Sequence, residues 1–202
     1  YDDFSNPASG WRTYDYGTFH SGYLDGEYQI LMKEPDWVAW VTRYTCSSCV
    51  IEADARFASQ KYGYYSLVFG ASGGDYYLFS VTDGGYYALY KYQGEKWYTL
   101  VNWTRSSFIY TGQTKNRLRV ERYGTSIALY ANGHHLRTIS DSSLLGVRGV
   151  GLSAGSFDDV PMDARFDNFA VYAAPGTAML QDSGESLGEF GTTPGEKMTE
   201  GQ

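Results

Sequence analysis

The strongest constraint on this chain is a two-residue alternation broken only at glycine turns. It is clearest in Asp75–Gln93, DYYLFSVTDGGYYALYKYQ. In an extended chain, successive side chains point to opposite faces. Tyr76, Leu78 and Ser80 then share one face, and Tyr77, Phe79 and Val81 the other. Asp83-Gly84-Gly85 interrupts the run, and the alternation resumes with Tyr86, Ala88, Tyr90 and Tyr92 against Tyr87, Leu89 and Lys91. Aromatic and β-branched runs on either side of a glycine turn specify a β-hairpin. One face of each strand must pack into a core. The other is left as a tyrosine-rich surface.

The same pattern recurs along the chain. Strands are expected at Gly26–Met32, Trp37–Tyr44, Val50–Phe57, Tyr64–Gly70 and Trp97–Trp103. Further strands are expected at Arg117–Arg122, Ser126–Ala131, His134–Ile139, Val147–Ala154 and Ala164–Tyr172. Asn132-Gly133 is a strong hairpin signal between two of them. No segment carries a helical period of useful length. About eleven short strands with frequent turns predict an all-β, two-sheet antiparallel sandwich over residues 1–172. After Tyr172 the composition shifts to Gly, Thr, Ser and Glu, so 173–202 reads as an extended acidic tail.

Charge and cysteine usage narrow the function classes. The net charge is −7, and residues 175–202 contribute five acids against Lys197. Such a chain lacks the basic footprint of a nucleic-acid binder. No apolar run approaches the roughly eighteen residues of a membrane-spanning helix. The sequence starts at Tyr1 without a leader pattern, which fits either a processed, secreted chain or a trimmed piece. The two cysteines, Cys46 and Cys49, lie in TCSSCV between β-like segments. A redox CxxC motif needs a strand-to-helix context, and a zinc site needs more ligands. A structural disulfide is the expected reading, and it places the protein in an oxidising, extracellular or cell-surface setting.

Several segments together resemble one superfamily. They are DDFSNPASGW (Asp2–Trp11), YLDGEYQILMKEP (Tyr23–Pro35), VIEADARF (Val50–Phe57), YYLFSV and YYALYKYQGEKW (within Tyr76–Trp97). NRLRVERYGTSIALYANGHHL (Asn116–Leu136), GVGLSAGSFD (Gly149–Asp158) and ARFDNFAVY (Ala164–Tyr172) follow in order. The chain resembles the concanavalin A-like lectin/glucanase superfamily, and within it the laminin G-like jelly-roll domains of bacterial secreted or surface proteins. The resemblance covers 1–172. It implies a fold and leaves function open, because the superfold hosts lectins, hydrolases and adhesion modules alike.

Retaining glucanases of the superfamily carry Glu-x-Asp-x-x-Glu on one strand, which sets two carboxylates beside the glycosidic bond. Here Glu52-Ala53-Asp54-Ala55-Arg56 ends in Phe57, so one acid is missing. The alternative for Glu52, Asp54 and Arg56 is a solvated strand face, ion-paired across strands. His20, His134 and His135 lack the partners of a triad or a metal site. Asp2, Asp3 and Asp167 form a candidate structural Ca2+ site if the first and last strands pair, against the alternative that aspartates cap turns. Tyr76, Tyr86, Tyr90, Tyr92 and Trp97, extended by Tyr64 and Tyr98, form a candidate surface for a glycan or for another copy of the chain.

The expected function is a non-catalytic, self-assembling structural or adhesive protein. Its tail segment Glu185–Thr193 would add to a neighbour's sheet edge through Leu187 and Phe190. The alternative is a lectin-like carbohydrate-binding module using the tyrosine face. A glycoside hydrolase ranks last.

Overall fold

A computed structural model describes residues 1–61 and 63–173, with the backbone of 191–192. Two antiparallel sheets face one another, and no helix occurs among the described residues.

The first sheet has eight strands. Its spatial order is β1 (Tyr14–Asp15), β2 (Phe19–Leu24), β3 (Glu27–Met32), β14 (Met162–Ala173), β5 (Cys49–Phe57), β10 (Asn116–Tyr123), β11 (Ser126–Ala131) and β12 (His134–Ser140). The second sheet has seven. Its order is β15 (Gly191–Thr192), β4 (Trp37–Cys46), β13 (Arg148–Ser156), β6 (Gly63–Ser72), β7 (Asp75–Thr82), β8 (Tyr86–Gln93) and β9 (Lys96–Arg105). The sandwich predicted from alternation is therefore present, and each expected strand is found with its ends within two residues of those expected. The weakly patterned β1 and β2 are additions to the expected set.

The core lies between the sheets. Ile51, Ala53, Ala55 and Phe57 face inward from β5, and Tyr77, Phe79 and Val81 from β7. Tyr87 and Leu89 join them from β8. Such aromatic and β-branched side chains suit a pleated surface buried on one face. Phe57 packs on Tyr65 with ring centroids 4.8 Å apart. The Cys46–Cys49 disulfide closes the β4–β5 connection as expected. Asp2 bridges Phe169, so the chain start does pair with the last long strand.

Of the tail, only the backbone of β15 is described. β15 pairs antiparallel with β4 of the same chain, Gly191 opposite Val38 and Thr192 opposite Trp37. Leu187 and Phe190, the expected tail anchors, lie outside the described residues. No helix among the described residues is long and apolar enough to cross a membrane.

Candidate functional site

The outer faces of the two sheets differ in chemistry. On the first sheet, the outward residues of β5 and β10 form an ion-pair lattice. Arg117 lies opposite Asp54 and Arg119 opposite Glu52. Arg117 donates to Glu52 at 2.6 Å and to Asp54 at 3.1 Å, and Arg119 donates to Glu52 at 2.8 Å. Arg56 pairs with Glu27 and Arg165 with Asp163. Burial opposes the charge on Glu52, but hydrogen bonds from Arg119 and Arg117 outweigh it and hold the carboxyl below its ordinary range. A glycosidase acid needs the opposite, a carboxyl raised in pKa. The ion-paired reading of Glu52, Asp54 and Arg56 is thus the one the geometry supports.

The second sheet presents an apolar and hydroxyl-bearing outer face. Its register brings residues distant in sequence into rows across the strands. The central row runs Trp40, Ser153, Ser66, Ser80, Ala88. On one side lies Val38, Gly155, Tyr64, Thr82. On the other lies Thr42, Gly151, Val68, Leu78, Tyr90, Thr99. Tyr76, Tyr92 and Trp97 form a fourth row. None of these outward residues is a carboxylate. The central row crosses from β4 to β8, about 19 Å at an inter-strand spacing of about 4.8 Å.

Aromatic rings stand around this small-residue floor in one continuous series. Trp40 meets Tyr76 at 5.4 Å, and Tyr76 meets Tyr92 at 5.5 Å and Trp97 at 5.8 Å. Trp97 meets Tyr90 at 6.3 Å, Tyr90 meets Trp103 at 5.9 Å, and Trp103 meets Tyr64 at 6.1 Å. Phe157 closes the series on Tyr64 at 5.6 Å. These separations and tilts lie in the favourable range for aromatic pairs. Tyr64 can lie flat because it faces Gly155: a Cβ there would fall 2.2 Å from the Tyr64 ring.

Of the expected contact residues, Tyr76, Tyr90, Tyr92 and Trp97 come together. Tyr86 shares their face at the far end of β8, opposite Arg105. Tyr64 joins the group as anticipated. Tyr98 does not, since it points to the other face of β9, where the Lys91 ammonium lies 5.1 Å from its ring centroid. The expectation of a wet platform needs correction. Trp40, Tyr64, Tyr76 and Tyr90 keep only 5, 1, 2 and 4% of their surface exposed, while Tyr92, Trp97, Trp103 and Phe157 are half-buried. The hydroxyl floor and the part played by Trp40, Trp103 and Phe157 were missed in the sequence. Serines at 66, 80 and 153 give no signal until strand order puts them side by side.

The candidate calcium residues are placed as follows. Asp2 accepts from the Phe4 amide through Oδ1, while its buried Oδ2 has no hydrogen-bond partner among the described residues. Asp3 accepts from the Ser5 amide and hydroxyl. Asp167 pairs with Lys115 and accepts from the Asn168 amide. The structure does not unite Asp2, Asp3 and Asp167, and no group of three or more potential metal ligands occurs among the described residues. His134 stacks on Phe108 at 4.1 Å, and His135 bonds Thr138.

Comparison with known proteins adds to this geometry. No protein-family model and no curated protein matches the chain. Solved structures do. Carbohydrate-binding module CBM66 from Bacillus subtilis aligns with a TM-score of 0.56 at 19% identity, covering 81% of this chain and 95% of that one. A protein of unknown function with a galectin-like fold from Bacillus subtilis aligns with a TM-score of 0.63 at 13% identity, covering 85% and 93%. An endo-β-galactosidase from Clostridium perfringens that releases GlcNAcα1-4Gal aligns with a TM-score of 0.60 at 12% identity, and the match spans 61% of its length.

These neighbours correct the first-ranked expectation of a self-assembling structural or adhesive protein. The finding behind the correction is a carbohydrate-binding module among those neighbours. In the described backbone of the tail, β15 pairs with the β4 edge of its own chain. With its strand order, its two-sheet core and these alignments, the chain has the two-sheet jelly-roll sandwich that the resemblance to the concanavalin A-like lectin/glucanase superfamily implies.

Proposed function

We propose that the protein is a non-catalytic carbohydrate-binding domain that holds a glycan against the outer face of its second sheet. The observation that carries this reading is the continuous aromatic series around a serine floor. Sugar rings present CH faces that pack on aromatic rings and hydroxyls that bond nearby polar atoms. An apolar, aromatic lining with a few convergent polar groups is the usual chemistry of a ligand site. A carbohydrate-binding module among the structural neighbours supports the reading. The outward rows hold no carboxylate, and Asp36, close enough to act on Tyr64, is a single acid, whereas hydrolysis needs two flanking the bond. The disulfide favours action outside the cytoplasm.

Titration against a panel of polysaccharides tests the proposal. At least one should bind. Tyr92→Ala and Trp97→Ala should each weaken it by about fivefold or more, the loss of about 1 kcal/mol expected for an aromatic anchor. Failure of every glycan in the panel to bind would overturn the reading.

A further inference from the structure

Three polar atoms on this face are buried without a hydrogen-bond partner among the described residues: Trp40 Nε1, Tyr64 Oη and Ser153 Oγ. Native folds pair nearly all their buried polar atoms, so each exception asks for an explanation. The contrast within one row is informative. Ser66 and Ser80 satisfy each other at 2.8 Å, whereas Ser153, next to Ser66 in the same row, is left over. All three atoms belong to the face that the aromatic series encloses, on neighbouring strands β4, β13 and β6.

We infer that Trp40, Tyr64 and Ser153 form a hydroxyl-reading triad beneath the aromatic wall, and that the ligand they select is an uncharged glycan. The inference rests on the carbohydrate-binding reading above. An indole N–H only donates, while the tyrosine and serine hydroxyls both donate and accept. That set matches sugar hydroxyls, which also do both. A carboxylate or sulfate offers acceptors only and brings a charge. Stripping water from that charge is costly unless a cation meets it. The outward rows hold no Lys, Arg or His over the floor, and Arg105 stands at the sheet edge opposite Tyr86. The half-buried rings of Tyr92, Trp97, Trp103 and Phe157 turn aside to admit the sugar and then pack on it.

The test compares Ser153→Ala, Tyr64→Phe and Trp40→Phe by titration calorimetry, using a neutral polysaccharide that the parent protein binds. Each variant should bind about fivefold more weakly, the value of one lost hydrogen bond. Ser153→Ala and Tyr64→Phe should melt at or above the parent temperature, because each deletes an unpaired buried group. A uronic-acid polysaccharide should not bind. Unchanged affinity in Ser153→Ala and Tyr64→Phe, with binding still lost in Trp97→Ala, overturns the triad and leaves the face as the binding surface. That result would mean the three atoms merely hold water. Equal binding of the acidic polysaccharide overturns the uncharged-ligand assignment. Binding of no glycan removes the parent reading, and the triad with it.

Discussion

Gly155 is the position on which the packing of the aromatic face depends most directly. A methyl group added there would fall 2.2 Å from Tyr64 Cζ and 2.3 Å from its hydroxyl oxygen. Ordinary carbon contacts are near 3.5–4.0 Å, so the ring must move by more than 1 Å. Its escape is limited, because Phe157 and Trp103 pack against it and its surface is 1% exposed. Overpacking of this kind costs about 1–3 kcal/mol. Glycine-to-alanine replacement in compatible backbone returns about 0.4–1 kcal/mol by restricting the unfolded chain. Gly155→Ala should therefore destabilise the domain by about 1–2 kcal/mol net. For a chain of this size that lowers the melting temperature by roughly 2–8 °C. Thermal denaturation followed by circular dichroism measures it, and glycan titration should show a parallel loss of affinity. Tyr64→Leu in the same chain should recover part of the stability, since neighbouring sites couple. A Gly155→Ala protein with the parent's melting temperature and affinity would refute the placement of the Tyr64 ring over β13.

Other expectations follow from the rest of the sandwich. Asp141 at the opposite end accepts from Tyr77 at 2.5 Å and from Lys91 at 2.9 Å. Burial alone would raise its carboxyl, yet hydrogen bonds from Tyr77, Lys91 and Ser143 hold it well below the ordinary value of 3.8. A lowered folded-state pKa contributes stability that is full above the unfolded value and is lost as pH falls below it. Melting temperature should accordingly drop below about pH 4, and Asp141→Asn should flatten that acid limb. At neutral pH the same variant leaves Lys91 buried without its counter-charge and should cost about 3 kcal/mol. Phe57→Ala should cost about 3–5 kcal/mol in denaturant titration, because the side chain fills the core beside Tyr65. A loss under 1 kcal/mol would contradict that placement.

Much of this fold is legible in the sequence because period-two patterning is local. Tyr77, Phe79, Val81, Tyr87 and Leu89 declare themselves as one face of a hairpin, and the structure buries them together. β5 is read equally well, down to the ion pairing of Glu52, Asp54 and Arg56. β2 escapes notice because FHSGYL places Ser21 and Gly22 in its middle, and such residues blur the alternation. It forms through pairing with β3 over six residue pairs rather than through its own composition.

The candidate site divides along the same line. Alternation alone puts Tyr76, Tyr90 and Tyr92 on a common face of the hairpin. Which sheet that hairpin joins, and what lies beside it, depends on contacts between residues far apart in the chain. Register brings Ser153 beside Ser66 and Trp40, and folds Tyr64 over Gly155. It also sends Glu52 to the other sheet, away from the aromatic face. A side-chain pattern specifies a strand's two faces, because the pleat is a property of a few neighbouring residues. It does not specify the partner strand, because that choice is made by packing summed over the whole core. Most strands, and which side chains share each of their faces, were thus determined by the sequence itself. The serine floor, its aromatic wall and the unpartnered triad exist only once the two sheets have assembled.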